Sequence, residues 1–152
     1  MSELADRLLD DLKDAMRAND VTRRETVRFL RAEIHNQEIE RGHALSDAEI
    51  IEVVQRQIKQ RRDSIEQFAR GGRHDLVAAE EAQIAVLERY LPPQLSYDEV
   101  LAMARDVVQE IGASGARDMG RVMPLLRQRI GGTAEGSTIA AAAREALAAA
   151  GA

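Results

Sequence analysis

Nucleophilic catalysis needs a Ser, Thr or Cys beside a base on an exposed turn, and this chain offers little material for it. It has no Cys and no Gly-x-Ser-x-Gly elbow, and Ser64 falls inside the longest helical pattern, where a nucleophile would be poorly exposed. Phosphate-cradling loops are missing too. Gly71-Gly72 and Gly131-Gly132 follow helical patterns instead of opening them, so they predict C-terminal caps. The His residues His35, His43 and His74 have no neighbour at metal-ligand spacing. Glu40-Arg41-Gly42-His43 matches the Glu-x-x-His half-motif of di-iron bundles once, but Gly42 puts it at a helix end and no second copy exists. The sequence predicts no catalytic residue, no metal site and no cofactor.

Arginine is the remaining chemistry. Of 21 basic residues only Lys13 and Lys59 are Lys. Guanidinium favours bidentate contact with phosphate or carboxylate, although a coding bias toward Arg and Ala gives the same ratio. The net charge of -5 disfavours a strongly basic nucleic-acid binder. It averages over unlike segments, however. Residues 21–74 carry eleven bases and nine acids, whereas residues 75–112 carry two bases and eight acids. Within the first of these, Arg23, Arg24, Arg28 and Arg31 are spaced so that part of the group shares one helix face and could follow a phosphate backbone. A solvated face with local pairs such as Arg62 to Glu66 accounts for the same charges.

The elements that must carry these residues read as seven helices. Leu4, Leu8, Leu12 and Met16 mark the first. Thr22-Arg23-Arg24-Glu25 has capping-box spacing and opens a second helix, with Val27, Leu30, Ile34 and Ile39 on its apolar face and Gly42 at its end. Ser46-Asp47-Ala48-Glu49 opens the longest, which stops at Gly71-Gly72. Leu76, Val77, Ile84, Leu87 and Leu91 lie on a fourth, ended by Pro92-Pro93 because Pro lacks the N–H and clashes with the preceding turn. Ser96-Tyr97-Asp98-Glu99 opens a fifth that closes at Gly112. Asp118 is the expected cap of a sixth, which Pro124 should kink or delay, and Ser137 that of an Ala-rich seventh. No segment alternates with period two. The predicted fold is all-α: an N-terminal four-helix domain (1–93) and a small C-terminal three-helix domain (94–152), joined at a Pro-Pro hinge.

Composition agrees. The chain has 152 residues, is 45% hydrophobic but only 3% aromatic, and 25 of its residues are Ala, the best helix former. The absence of Cys excludes disulfides and thiolate metal sites. The opening Met1-Ser2-Glu3-Leu4-Ala5-Asp6 is acidic where a signal peptide would be basic, and no apolar run approaches the ~18 residues of a membrane span. These features predict a soluble cytoplasmic protein without a membrane partner.

One long string carries a resemblance. Gln60-Arg61-Arg62-Asp63-Ser64-Ile65-Glu66-Gln67-Phe68 continues through Gly72-Arg73-His74-Asp75-Leu76 and Glu80-Glu81 to Tyr90-Leu91-Pro92-Pro93-Gln94-Leu95-Ser96. Asp118-Met119-Gly120-Arg121-Val122-Met123 and Ala134-Glu135-Gly136 follow in the tail. This is similar to the YqeY-like proteins of the GatB/YqeY family, and the tail resembles the C-terminal helical domain of the B subunit of the tRNA-dependent amidotransferase. The resemblance implies a two-part helical protein whose tail is associated with gripping tRNA. It carries over no catalytic region. Where the family tends to have a basic stretch before its acid-Gly pair, this chain has Ile130-Gly131-Gly132-Thr133-Ala134. On this likeness Arg61, Arg62, Arg73, Arg121, Arg127 and Arg129 are candidate phosphate contacts. The expected function is a non-catalytic module associated with tRNA or another RNA. The alternatives are an adaptor that docks on a tRNA-handling or other translation protein and, last, a carbon–nitrogen ligase activity with glutamine as amido donor inside a complex.

Overall fold

In the computed structural model, which describes residues 2–152, the chain is all-α: seven α-helices, two short 3-10 turns and no strand among the described residues. It divides into two compact units, Met1–Leu91 and Pro92–Ala152.

The first unit holds α1 (Glu3–Arg17), α2 (Val21–Arg41), α3 (Asp47–Arg70) and α4 (His74–Glu88). Ser2 caps α1, its hydroxyl oxygen accepting from the Ala5 N–H at 3.1 Å. Asn19, in the left-handed region at φ 55°, turns the chain into α2; Asn tolerates that conformation better than most residues. The cap of α2 is Asp20, which accepts from the Arg23 N–H at 3.1 Å, and not the expected Thr22. Asp20 is extended and one residue outside the helix, as a cap must be, whereas Thr22 already lies within the first turn. The expected box at Ser46 and Glu49 does form, with both reciprocal hydrogen bonds.

Alpha3 runs back along α2. Arg41 pairs with Glu49 at 3.3 Å near one end, and the Arg61 guanidinium lies 5.7 Å from the Phe29 ring centroid toward the other. The core between these helices is made of Leu8, Val27, Leu30, Ile50, Val54, Ile58 and Leu87, all fully buried. Each such side chain contributes roughly 1.5–3 kcal/mol. Ile39, expected among them, is instead 68% exposed.

Alpha4 stops at Glu88, short of the prolines, and the reason is Tyr90. Its ring is buried, 3% exposed, and its hydroxyl donates to Asp11 Oδ2 at 2.6 Å. Asp11 also pairs with Arg23 at 3.1 Å, while Arg7 lies 4.8 Å from the Tyr90 ring centroid and donates to the Arg89 carbonyl at 2.8 Å. One aromatic residue thus ties the end of α4 to α1 and α2.

The second unit holds α5 (Tyr97–Ile111), α6 (Met119–Ile130) and α7 (Gly136–Ala150), with 3-10 turns at Ala116–Asp118 and Gly131–Thr133. The Ser96–Glu99 capping box opens α5, and Gly112 closes it in the left-handed conformation that Gly adopts without strain. Asp118 precedes α6 but does not cap it through its side chain. Its carboxylate accepts from the Ser114 N–H at 2.7 Å and pairs with Arg121, and the first of these holds its pKa below the usual carboxylate value. Pro124 lies inside α6 without delaying its start. Alpha7 begins at Gly136, one residue before the expected Ser137 cap. Its Ala142, Ala143 and Ala146 are buried against Ala104, Val107 and Leu126, so small residues set a close helix approach.

Two predictions follow from this packing. Ala143→Leu, which adds three carbons to a filled site, should lower the stability of the second unit by about 1–3 kcal/mol in urea unfolding, while Ala149→Leu on the exposed end of α7 should not. Tyr90→Phe should cost about 1.5–3 kcal/mol, as for loss of a hydrogen bond to a charged acceptor. Burial, reinforced by the Asp11 hydrogen bond and charge, pushes the Tyr90 pKa well above its ordinary value. An acid whose pKa is raised on folding keeps its full stabilising effect below its unfolded pKa, about 10 for Tyr. Stability of the wild type should therefore fall by about 1.4 kcal/mol per pH unit above that point, and Tyr90→Phe should remove this slope.

Candidate interaction surface

Five of the six candidate phosphate contacts are held by carboxylates of their own unit. Arg61 Nη1 donates to Glu80 Oε2 at 3.0 Å and its side chain is only 15% exposed. Arg62 lies 3.8 Å from Glu88, Arg73 makes two hydrogen bonds to Asp75, and Arg121 bonds to Asp118 and to the Ile111 carbonyl at 3.1 Å. Arg129 forks onto both oxygens of Glu110, and the hydrogen bond lowers the pKa of Glu110 and raises that of Arg129. Arg127 is exposed and has no carboxylate within ion-pair distance among the described residues. Arg61, Arg62 and Arg73 belong to the first unit, and Arg121, Arg127 and Arg129 to the second. Exposed pairs are weak, about 0–1 kcal/mol, so they do not forbid a phosphate contact, but each must first be given up.

Most of the long string that carries the family resemblance lies in the α3–α4 hairpin, and its end from Pro92 to Ser96 belongs to the second unit. The last buried residue of α3 is Ile58 and the first of α4 is Ile84. Between them Ile65, Phe68, Leu76 and Val77 are only half-buried. At the base of this stretch a cleft of about 400 Å³ is lined by Glu25, Arg28, Phe29, Arg61 and Gln83. A second, of about 420 Å³, lies in the other unit along Arg105, Val108, Gly112, Ala113, Ala146 and Ala149. Neither lining brings a nucleophile beside a base.

The outer face of α2 is the feature that the sequence reading missed. Val21, Phe29 and Ile39 are 56%, 57% and 68% exposed on a helix whose other side is core. Val21, Glu25, Arg28, Ala32, His35 and Ile39 follow one another at intervals of four, three, four, three and four, all exposed, with Phe29 and Asn36 beside them. That spacing sets them in one stripe along α2, with Val21, Ala32 and Ile39 as its apolar members. The signal was present in the sequence, but Ile39 was grouped with Ile34 as core, and a seam interrupted by Glu25 and Arg28 does not stand out from a charged face.

Among the described residues no three His, Asp or Glu are grouped to hold a metal ion, and no helix is long and apolar enough to cross a membrane. The molecule is thus an all-helical protein with shallow clefts and a long exposed seam on its second helix. It belongs to the YqeY-like protein family, whose pattern matches residues 5–147. Relatives include "Altered inheritance of mitochondria protein 41, mitochondrial" of Pyrenophora tritici-repentis, 35% identical over 128 residues, or 81% of this chain and 71% of that one. The protein of the same name from Lachancea thermotolerans is 37% identical over 110 residues, 70% of this chain and 59% of its own length. That from Eremothecium gossypii is 36% identical over 107 residues, with 68% and 58% covered. The chain thus spans under two thirds of the latter two.

These relatives are mitochondrial by name, which overturns the expectation of a cytoplasmic protein. The two features behind that expectation do not discriminate. A missing Cys excludes disulfides but selects no compartment, and an acidic opening speaks only of the residues that show it.

Proposed function

We propose that the chain catalyses no reaction of its own and works as a docking module, taking an amphipathic helix along the outer face of α2. The carrying observation is the exposed seam from Val21 to Ile39. Three large apolar side chains held in water on one face of a 21-residue helix are a cost that a partner helix would remove. The charges between them, Glu25, Arg28 and His35, are of mixed character and suit a protein partner better than a polyanion.

Association with tRNA or another RNA is a second reading, and one observation favours it. The exposed Phe29 ring stands in a cleft with Arg28 and Arg61, where a base could stack while guanidinium meets phosphate. The paired state of Arg61, Arg62, Arg73, Arg121 and Arg129 weighs against it.

Capture by the full chain, after nuclease treatment and cross-linking, separates the two. A nuclease-resistant partner should be recovered, be reduced at least about tenfold by Phe29→Glu/Ile39→Glu, and be unaffected by Arg127→Ala/Arg129→Ala. Labelled tRNA should bind no tighter than about 10⁻⁴ M at physiological salt. Tighter binding that weakens with salt and with Phe29→Ala, together with loss of the captured partner on nuclease treatment, would replace docking with the RNA reading.

A further inference from the structure

We propose that the helix laid along α2 is α2 of a second copy, antiparallel, with the two-fold axis passing beside residue 30. This rests on the docking reading above and names its partner. In an isologous pair each contact occurs twice, so a self-complementary face is a strong constraint on sequence. In this register Val21 falls opposite Ile39 of the second copy, joining the two most separated apolar groups of the seam. Glu25 falls opposite His35, an acceptor facing a ring that can donate. Arg28 crosses Ala32, whose small side chain leaves room for the long one near the axis. On one flank Phe29 meets Phe29 of the second copy, ring against ring, and on the other Arg24 comes near Glu38 while the two Arg31 side chains face each other at the solvent edge. All these positions except the half-buried Arg24 and Glu38 are exposed in the single chain.

Other pairings fail by the same residues. A parallel pair sets Arg28 on Arg28 and Glu25 on Glu25, like charges face to face. An antiparallel pair shifted by one heptad toward the N-terminus sets Glu25 on Arg28 but leaves Ile39, the most exposed large apolar residue, uncovered. A single helix pair is a small interface, so the dimer should be weak, with a dissociation constant on the order of micromolar.

Sedimentation of the full chain should show the mean mass rising from 16.8 kDa toward twice that value between about 1 and 200 µM. Ile39→Lys should weaken the dimer at least about tenfold. Adding Val21→Glu should restore it, because the two positions lie about 27 Å apart on one helix and can meet only across the pair. The chain has no Cys, so introduced thiols react alone. Val21→Cys/Ile39→Cys should cross-link into covalent dimers with a short bis-maleimide, and neither single variant should. Equal cross-linking by a single variant, or no rescue by the charge pair, overturns the antiparallel register. A mass fixed at 16.8 kDa overturns self-pairing. If Ile39→Lys still abolishes the nuclease-resistant capture in that case, docking stands with a different partner; if capture is indifferent to Ile39, both readings fall.

Discussion

The first unit depends on a single buried phenol. Tyr90 lies just past the last turn of α4, with its ring out of water and its hydroxyl on Asp11 of α1, and Asp11 in turn receives Arg23 of α2. Asp11 lies midway along α1, facing the start of α2 and the end of α4. Here one oxygen takes the phenol and the other the guanidinium, so ordering Asp11 orders α1, α2 and α4 together. Arg7 completes the arrangement by covering the Tyr90 ring and donating to the Arg89 carbonyl, one of the orphan acceptors that every helix C-terminus leaves. The position of Tyr90 also fixes where α4 must stop. A helix continued to Leu91 would rotate the ring away from α1, and Pro92 disfavours helical geometry at the residue before it.

Anchoring α2 by Arg23, Val27, Leu30 and Ile34 fixes which face of it looks outward. That face then holds Val21, Phe29 and Ile39 in solvent with no freedom to turn them in. A helix tied at its first turn to Asp11, and at its last to Glu49 through Arg41, cannot roll to hide them. The exposed seam is therefore a consequence of the core, and its cost is borne in the single chain.

Helix number and type were legible in the sequence, because seven apolar stripes at helical spacing, two true capping boxes and the glycine stops leave little choice. The caps that went astray share a cause. Thr22 and Ser137 are chemically suitable, and the backbone decides against them: Asn19 in the left-handed region starts α2 two residues early, and Gly136 begins α7 before its Ser. Asp118 fails to cap α6 because its carboxylate is drawn to the Ser114 N–H and to Arg121. The arginine candidates were legible as charges but not as pairs. Arg61 with Glu80 and Arg129 with Glu110 are each nineteen residues apart, a distance at which only the fold determines who meets whom. Ile39 was misplaced because five residues turn it about 140° around the helix from Ile34 and onto the outer face, while the inner face continues at the buried polar Gln37, where no apolar residue marks it.

These pairings also change what the net charge of -5 means. A protein that draws a polyanion from a distance needs uncompensated positive charge gathered on one surface, since fields from exposed charges fade within about 10 Å at ordinary salt. In this chain most of the clustered arginines meet a carboxylate locally: Arg24 and Arg28 share Glu25, Arg61 meets Glu80, Arg73 meets Asp75 and Arg129 meets Glu110. Guanidinium held in a carboxylate fork is a short-range donor, suited to keeping helices in register and to meeting another ordered surface at contact. Such a surface needs matching shape and apolar area more than charge. The place where this molecule offers apolar area on a rigid, regularly spaced frame is the outer side of α2, which is why a helical partner accounts for the arrangement better than a phosphate backbone does.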